Sequence, residues 1–329
     1  MISRLFARAL DLAAGLRRRL TKRPSRGTQI VVLVSALVLF IGVSVWSWRE
    51  LDIELADLHF GALAWLLVVF VPLTIIANAA ELGVTGRVLG VKLKPKLLIR
   101  TVVVATAANL LPIPGAAMVR VHALRTAGCR LGAATSITVV TALVWIAWSA
   151  GVAGVALLIT GRVGSGIGFL LAWVLLLGVS VVALQRQRDT VTRTARGFAM
   201  ITVVELGLIL VSGLRLLAVL ATLGISADVV QALTLAVSGA LAAGAGVFPG
   251  GLGLTEGISG ALAPLIGLTV ATGVLATAFN RIAGLVVTAP IAAVAGASVL
   301  RQAAELEDEV EHLTGEDGQP DQALDAPES

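Results

Sequence analysis

Apolar stretches long enough to cross a lipid bilayer recur along this chain, and they constrain its fold more than any other feature. The first of them, Gln29 to Trp48, contains no charged residue. A bilayer core offers no water to unpaired backbone groups, so such stretches cross it as helices, which pair these groups internally. With 57% hydrophobic and 14% charged residues among 329, the chain is predicted to be an all-α polytopic integral membrane protein.

Charged residues divide the chain into three parts. Residues 1–28 carry eight basic side chains, whereas residues 301–329 carry ten acidic side chains and one basic one. We expect a basic cytoplasmic N-terminal segment at 1–28, a transmembrane domain at 29–300, and an acidic, disordered cytoplasmic tail at 301–329. The first apolar stretch is interpreted as an anchor rather than a signal peptide, because it has no small-residue cleavage site.

Loop charges predict the orientation of the helices. Basic residues accumulate in cytoplasmic loops, which places the N-terminal segment and the loop from Arg87 to Arg100 in the cytoplasm. The loop from Glu50 to Asp57 is acidic and suits the outer face. Both termini are therefore predicted to be cytoplasmic, in a multi-pass protein of the cell (plasma) membrane. Because the basic residues flank apolar spans without interleaved aromatic residues, no nucleic acid partner is expected.

Two Pro-Gly sequences interrupt apolar stretches. Leu97 to Leu111 ends at Pro112-Ile113-Pro114-Gly115, and Val229 to Phe248 ends at Pro249-Gly250-Gly251. A regular helix does not continue through such a break. Basic residues on both sides of the first break predict a hairpin that enters from the cytoplasm, whereas the second hairpin enters from outside. The prediction is about six full transmembrane helices plus two inverted re-entrant hairpins. Eight transmembrane helices are the alternative.

The segments around these breaks resemble a known family. PGGLGLTEG at 249–257, followed by Asn280-Arg281 on a later helix, and NLLPIPGAAMVRVHALR at 109–125 carry the resemblance. They are similar to motifs in the membrane region of the lysylphosphatidylglycerol synthase family, the flippase-like integral membrane proteins. Together the motifs span much of 109–290. The chain departs from the family pattern at Ala116 and Ala117, where the family has a glycine and an acid; the arginine of the pattern is retained as Arg120.

The resemblance implies movement of a lipid between leaflets. In multidomain members this membrane region is fused to a soluble aminoacyl-transfer domain, and it is held to move the modified lipid. The 329 residues leave no room for that second domain. The expected substrate is an anionic or modified (glyco)phospholipid or a polyprenyl lipid, and membrane lipids are the expected partners.

Polar groups at membrane depth are the candidate site residues. Arg281 lies near the middle of the last span, where an unpaired charge costs about 3 kcal/mol or more, so Glu256 is its expected partner. Arginine also suits phosphate, which its planar fork binds through two hydrogen bonds. Glu205 and Arg215 lie too far apart on one span to pair locally; each is expected to find a partner on another helix or to reach an interface. The predicted lipid-binding set is Glu256, Arg281, Arg120, Asn109, Asn280, Pro114, Gly115, Pro249, Gly250, Gly251 and Gly253.

Two other classes of function stay open. His59, His122 and His312 fall in separate loops and the tail, and Cys129 is the single cysteine, so no catalytic constellation, metal site or cofactor is predicted. A scaffold that holds a lipid-modifying enzyme in the membrane is one alternative, and a membrane-embedded headgroup transferase that uses Glu256 and Arg281 is the other. A lipid-modifying enzyme and a second copy of the chain remain open as partners.

Overall fold

The computed structural model describes residues 26–108, 115–185, 194–245 and 251–315, which form helices and loops without a strand. The helices in chain order are α1 Arg26–Glu50, α2 Phe60–Val88, α3 Pro95–Ala108, α4 Gly115–Thr126, α5 Leu131–Ile159, α6 Val163–Gln185, α7 Thr194–Thr222, α8 Val229–Ala245, α9 Leu254–Leu262 and α10 Val270–Gly315. The all-α prediction is confirmed for these residues. Most of the basic segment 1–28 and the end of the acidic tail lie outside them.

Five helices among the described residues are long and apolar enough to cross a membrane. They are α2, α5, α6, residues Ala195–Thr222 of α7 and residues Val270–Ala293 of α10. The first helix, α1, has 25 residues, a length of about 37 Å at 1.5 Å per residue. Large apolar side chains such as Leu171, Val174 and Leu175 of α6 are exposed on the surface. Lipid tails, unlike water, cover such a surface without penalty. These features indicate a membrane protein.

Two of the long helices have irregular features. In α2, residues Leu66–Phe70 form a π-helical turn, and Pro72 follows directly in the next turn. Proline lacks an N–H and clashes with the carbonyl four residues earlier, and the wider turn relieves both problems. Helix α10 contains Pro290 and continues for 46 residues to Gly315. It therefore runs past residue 301, where the sequence placed the start of the tail.

Four shorter helices form two packed pairs. At the end of the first pair, Gly115 starts α4 so close to α3 that an added Cβ would lie 2.5 Å from the carbonyl oxygen of Ala108. In the second pair, Gly251 lies before α9 against the end of α8, and an added Cβ would lie 3.2 Å from the Cβ of Ala242. The helices of each pair are therefore in close contact near the break, and only glycine fits the approach at Gly115.

The helix after the second break begins earlier than predicted. The apolar sequence after the break predicted a helix that resumes at Ile258, but α9 begins at Leu254, where Gly253 forms its N-cap with a positive φ of 76°. Glu256 consequently lies in the first turn of a helix rather than in the break. A carboxylate there is favoured by the positive end of the helix dipole.

Two buried apolar clusters hold the bundle together, one beside each pair of short helices. Leu82 of α2 and Ile201 of α7 belong to the cluster beside α4. Leu66 of α2 and Leu220 of α7 belong to the cluster beside α8 and α10. Because α2 and α7 contribute to both clusters, they connect the two pairs of short helices and carry polar residues to each.

Candidate functional site

An ion pair between α9 and α10 forms the centre of the first candidate site. The Nε of Arg281 donates a hydrogen bond to Oε1 of Glu256 at 3.0 Å. The Glu256 side chain is 0% exposed, and that of Arg281 is 17% exposed. A charge-assisted hydrogen bond of this kind offsets part of the cost of removing both charges from water. The predicted pairing of Glu256 with Arg281 is therefore confirmed.

The carbonyl before α9 and a side chain in its first turn supply further acceptors to the same arginine. Nη2 of Arg281 lies 3.3 Å from the carbonyl oxygen of Gly251 and 3.2 Å from Oγ1 of Thr255. Thr255 in turn donates to the Gly251 carbonyl at 3.0 Å. Gly251 has a φ of 67°, a conformation that glycine adopts without strain. We name Glu256, Arg281, Gly251 and Thr255 the α9–α10 cluster.

A second arginine contacts α10 one residue away from Arg281. Nη2 of Arg215, on α7, donates to the carbonyl oxygen of Asn280 at 2.6 Å. The Arg215 guanidinium lies so close to Gly284 that an added Cβ there would approach Nη2 to 2.6 Å. Arg215 thus finds its partner on another helix. Oδ1 of Asn280 and Oε2 of Glu256 are buried, and neither has a hydrogen-bond partner among the described residues.

Arg120 lies in a different cluster. Its Nη1 donates to Oε1 of Glu81 at 2.6 Å, and its Nη2 donates to Oδ1 of Asn78 at 3.0 Å. Glu81 and Asn78 are three residues apart on α2, so both side chains lie on one face of that helix. The ion-pair partner of Arg120 thus comes from a neighbouring helix.

Glu205 of α7 completes this group. Its side chain is only 1% exposed, and it interacts electrostatically with both Glu81 and Arg120. Its Oε1 is buried without a hydrogen-bond partner among the described residues. We name Glu81, Asn78, Arg120 and Glu205 the α2–α4–α7 cluster. Its three charged groups come from three helices.

The structure separates the predicted site residues into two groups. Glu256, Arg281 and Gly251 meet in the α9–α10 cluster; Gly253 caps α9, and the backbone of Asn280 binds Arg215. Arg120 lies in the α2–α4–α7 cluster. Gly115 shapes the start of α4. Asn109, Pro114, Pro249 and Gly250 lie outside the described residues.

Two residues of the α2–α4–α7 cluster, Asn78 and Glu81, were missed from the sequence. The second apolar stretch was predicted to span Gly61 to Ala80, which leaves out Glu81, whereas the helix continues to Val88; Asn78 lies within that stretch but was not singled out. Glu205 was recognised as an acid within a span, but its partners were unknown. A polar Asn-x-x-Glu pair at the end of an apolar helix was the available signal, since such residues at membrane depth face the protein interior.

The two clusters are ion pairs of side chains from different helices. Within the described residues, no three His, Cys, Asp or Glu side chains are grouped as they would be to hold a metal ion. No protein-family model matches the chain. No curated protein matches it either. The resemblance to the lysylphosphatidylglycerol synthase family therefore stays a prediction.

Proposed function

We propose that this protein moves a lipid with an anionic headgroup between the two leaflets of the cell membrane. The observation that carries the proposal is the Glu256–Arg281 pair, in which a buried carboxylate holds an arginine that is still partly exposed. Lipid phosphate competes for that guanidinium, because the planar fork of arginine binds phosphate oxygens through two hydrogen bonds.

Helix lengths support two re-entrant hairpins. Helices α3 and α4 have 14 and 12 residues, or about 21 and 18 Å, less than the 30 Å hydrocarbon core. Helices α8 and α9 have 17 and 9 residues, or about 26 and 14 Å. With loop charges as the guide to orientation, the α3–α4 hairpin enters from the cytoplasm and the α8–α9 hairpin from outside. Broken helices that meet from opposite sides are typical of inverted-repeat transporters.

The charge of the α9–α10 cluster and its neighbour Arg215 favours an anion. Glu256 is opposed by Arg281, and Arg215 bonds the carbonyl of the preceding residue on the same helix. Counted as ionised groups, these three residues carry one excess positive charge. An anionic headgroup balances that charge, and acyl chains stay in the bilayer while the headgroup passes the hairpin ends. Binding at such a partly exposed arginine is reversible, as movement between leaflets requires.

The test is lipid reorientation in proteoliposomes. Acyl-labelled fluorescent phosphatidylglycerol and phosphatidylcholine serve as anionic and zwitterionic probes, and an impermeant quencher reports the fraction in the outer leaflet. We expect wild-type protein to equilibrate the anionic probe. Glu256→Gln and Arg281→Gln are each expected to abolish this movement, and Arg281→Lys to impair it in part, because lysine keeps the charge and loses the fork. Arg162→Gln, in an exposed loop, is the matched control.

The double variant separates a transport site from a structural pair. If Glu256 and Arg281 only stabilise the fold, removing both restores much of what each single change loses, because neither charge is left alone. A transport site gives no such rescue of lipid movement. Normal movement in folded Glu256→Gln and Arg281→Gln proteins contradicts the proposal. Product formed from a labelled lipid donor indicates the transferase, and the absence of both activities indicates the scaffold.

A further inference from the structure

The α2–α4–α7 cluster contains more acid than base. Glu81 and Glu205 contribute two carboxylates and Arg120 one guanidinium. Fully ionised, the three groups carry one excess negative charge. Glu81 and Glu205 are 6% and 1% exposed, and an uncompensated charge taken out of water is costly enough that the group takes up a proton instead. The cluster therefore has one carboxylate too many for its single arginine.

The hydrogen bonds identify the carboxylate that is left over. Arg120 directs Nη1 to Glu81 and Nη2 to Asn78. Oε1 of Glu205 has no donor among the described residues, although it is buried. A buried carboxylate oxygen without a donor is poorly stabilised as an anion. The neutral acid is the form of Glu205 that fits this environment.

Other ionisable groups on the helices around Glu205 do not balance it among the described residues: Arg87 of α2 and His122 and Arg125 of α4 are not among the groups that interact with Glu205. Helices α5, α6 and α8 contain no ionisable residue. On α10, Arg281 is paired with Glu256. Arg215 lies on α7 itself, ten residues away and about 15 Å along the helix, where it bonds α10. Glu81 of α2 and Arg120 of α4 are the charged groups that interact with Glu205.

We propose that Glu205 carries an exchangeable proton on its unpaired oxygen and that the α2–α4–α7 cluster is a proton-binding site of this protein. A hydronium ion in the adjoining water transfers a proton to the Glu205 carboxylate: one O–H bond breaks in hydronium, one forms on Glu205, a water molecule is left, and the cluster becomes neutral. Release of the proton to water returns the excess negative charge. The 23% exposed side chain of Arg120 marks where water reaches the cluster. If the proposed lipid transport holds, this proton couples to it.

Infrared titration of the purified protein in liposomes tests the proton site without any transport measurement. We expect a band from a protonated carboxylic acid near neutral pH that disappears as pH rises. The band is expected to be lost in Glu205→Gln, which keeps a neutral side chain of similar shape. It is also expected to be lost in Glu81→Gln, because one acid then faces one arginine. Asp228→Asn, in an exposed loop, should leave the band unchanged.

Stability separates the two glutamates. Gln replaces protonated Glu205 without loss of charge, so Glu205→Gln should unfold like wild type near neutral pH. Glu81→Gln removes the ion pair with Arg120 and should be less stable. Equal destabilisation by both changes overturns the assignment to Glu205. So does a wild-type band that is absent at neutral pH, that persists in Glu205→Gln, or that responds to Na⁺ and not to pH.

Coupling is tested with a pH gradient across proteoliposomes. An imposed gradient should change the rate of anionic lipid movement in wild type and leave the rate in Glu205→Gln unaffected. A gradient response that Glu205→Gln retains overturns the coupling. If wild-type protein moves no lipid but shows the infrared band, lipid transport fails and the proton site stands. The failure of each proposal is therefore distinguishable.

Discussion

Each pair of short helices lies beside an arginine–glutamate ion pair, but the two ion pairs are assembled in opposite ways. In the α2–α4–α7 cluster the returning helix α4 supplies the arginine, Arg120, and the preceding long helix α2 supplies Glu81. In the α9–α10 cluster the returning helix α9 supplies the acid, Glu256, and the following long helix α10 supplies Arg281. The two halves therefore place similar chemistry at both helix ends with the partners exchanged.

The surroundings give the two ion pairs opposite net charges. Helix α7 contributes an acid, Glu205, to the first cluster and a base, Arg215, to the backbone beside the second. With all groups ionised, the first region has one excess negative charge and the second one excess positive charge. Through these two residues, α7 makes the α2–α4–α7 cluster favour a proton and the α9–α10 cluster favour an anion. This difference is the physical basis for the two proposals.

The largest effect should come from removing the arginine of each cluster. Arg281→Met leaves Glu256, which has no contact with water, without its charged partner. Removing one member of a buried pair costs about 3–5 kcal/mol, and we expect Arg281→Met to lower the free energy of unfolding by this amount. Arg120→Met should cost about half as much, because Arg120 and Glu81 retain contact with water.

Unfolding in mixed detergent micelles, followed by circular dichroism, measures both changes. Arg162→Met, in an exposed loop, is the control and should unfold like wild type. If Arg120→Met lowers the free energy of unfolding more than Arg281→Met does, the degree of burial does not determine which ion pair stabilises the protein more.

The sequence was informative about the α9–α10 cluster for a specific reason. Glu256, Gly251 and Arg281 lie in segments where a charge or a broken helix at membrane depth demands an internal partner. The α2–α4–α7 cluster could not be predicted in the same way, because its contacts join residues that are distant in the sequence. Arg120 and Glu81 are 39 residues apart, and α2 continues past its predicted end. The π-helical turn before Pro72 and the early start of α9 at Leu254 also went unpredicted, because each is a local adjustment to tertiary packing.

A smaller effect is expected at the glycine that shapes the second cluster. Alanine at Gly251 must adopt a φ of 67°, and its Cβ would lie 2.9 Å from Oγ1 of Thr255. A left-handed conformation costs a residue with a Cβ about 1–2 kcal/mol, so Gly251→Ala should destabilise the protein by this amount and slow lipid movement. Gly239→Ala, within α8 and with open space around its Cα, should be neutral or stabilising by about 0.5–1 kcal/mol.

The same unfolding and lipid-movement assays compare the two glycine variants. In the α2–α4–α7 cluster, Arg120 bonds the side chains of Glu81 and Asn78, and Gly251 is not among its partners in the described residues. Gly251→Ala should therefore leave the infrared band of the Glu205 proton unchanged. Equal effects of Gly251→Ala and Gly239→Ala on stability and on lipid movement would show that the backbone turn at Gly251 does not shape the arginine site.

The smallest perturbation tests whether the two hairpins enter from opposite faces. Cys129 lies in the loop between α4 and α5, which we expect in the cytoplasm, whereas Ser226 lies exposed in the loop between α7 and α8, which we expect outside. An impermeant maleimide should leave wild-type protein in intact spheroplasts unlabelled and react with Cys129 after permeabilisation. A Ser226→Cys change in a Cys129→Ala background should be labelled in intact spheroplasts.

The pH dependence of labelling distinguishes a shielded cysteine from an inaccessible one. Burial raises the pKa of the Cys129 thiol above its ordinary value. Because the thiolate is the reactive form, its fraction below that pKa grows about tenfold for each unit of pH. Labelling of permeabilised membranes should therefore accelerate as pH rises, and labelling of intact spheroplasts should stay absent at every pH. Rapid labelling of Cys129 in intact spheroplasts would place Arg120 and its neighbours outside. The two hairpins would then not enter from opposite faces, and the proton site and the anion site would not lie on opposite sides of the membrane.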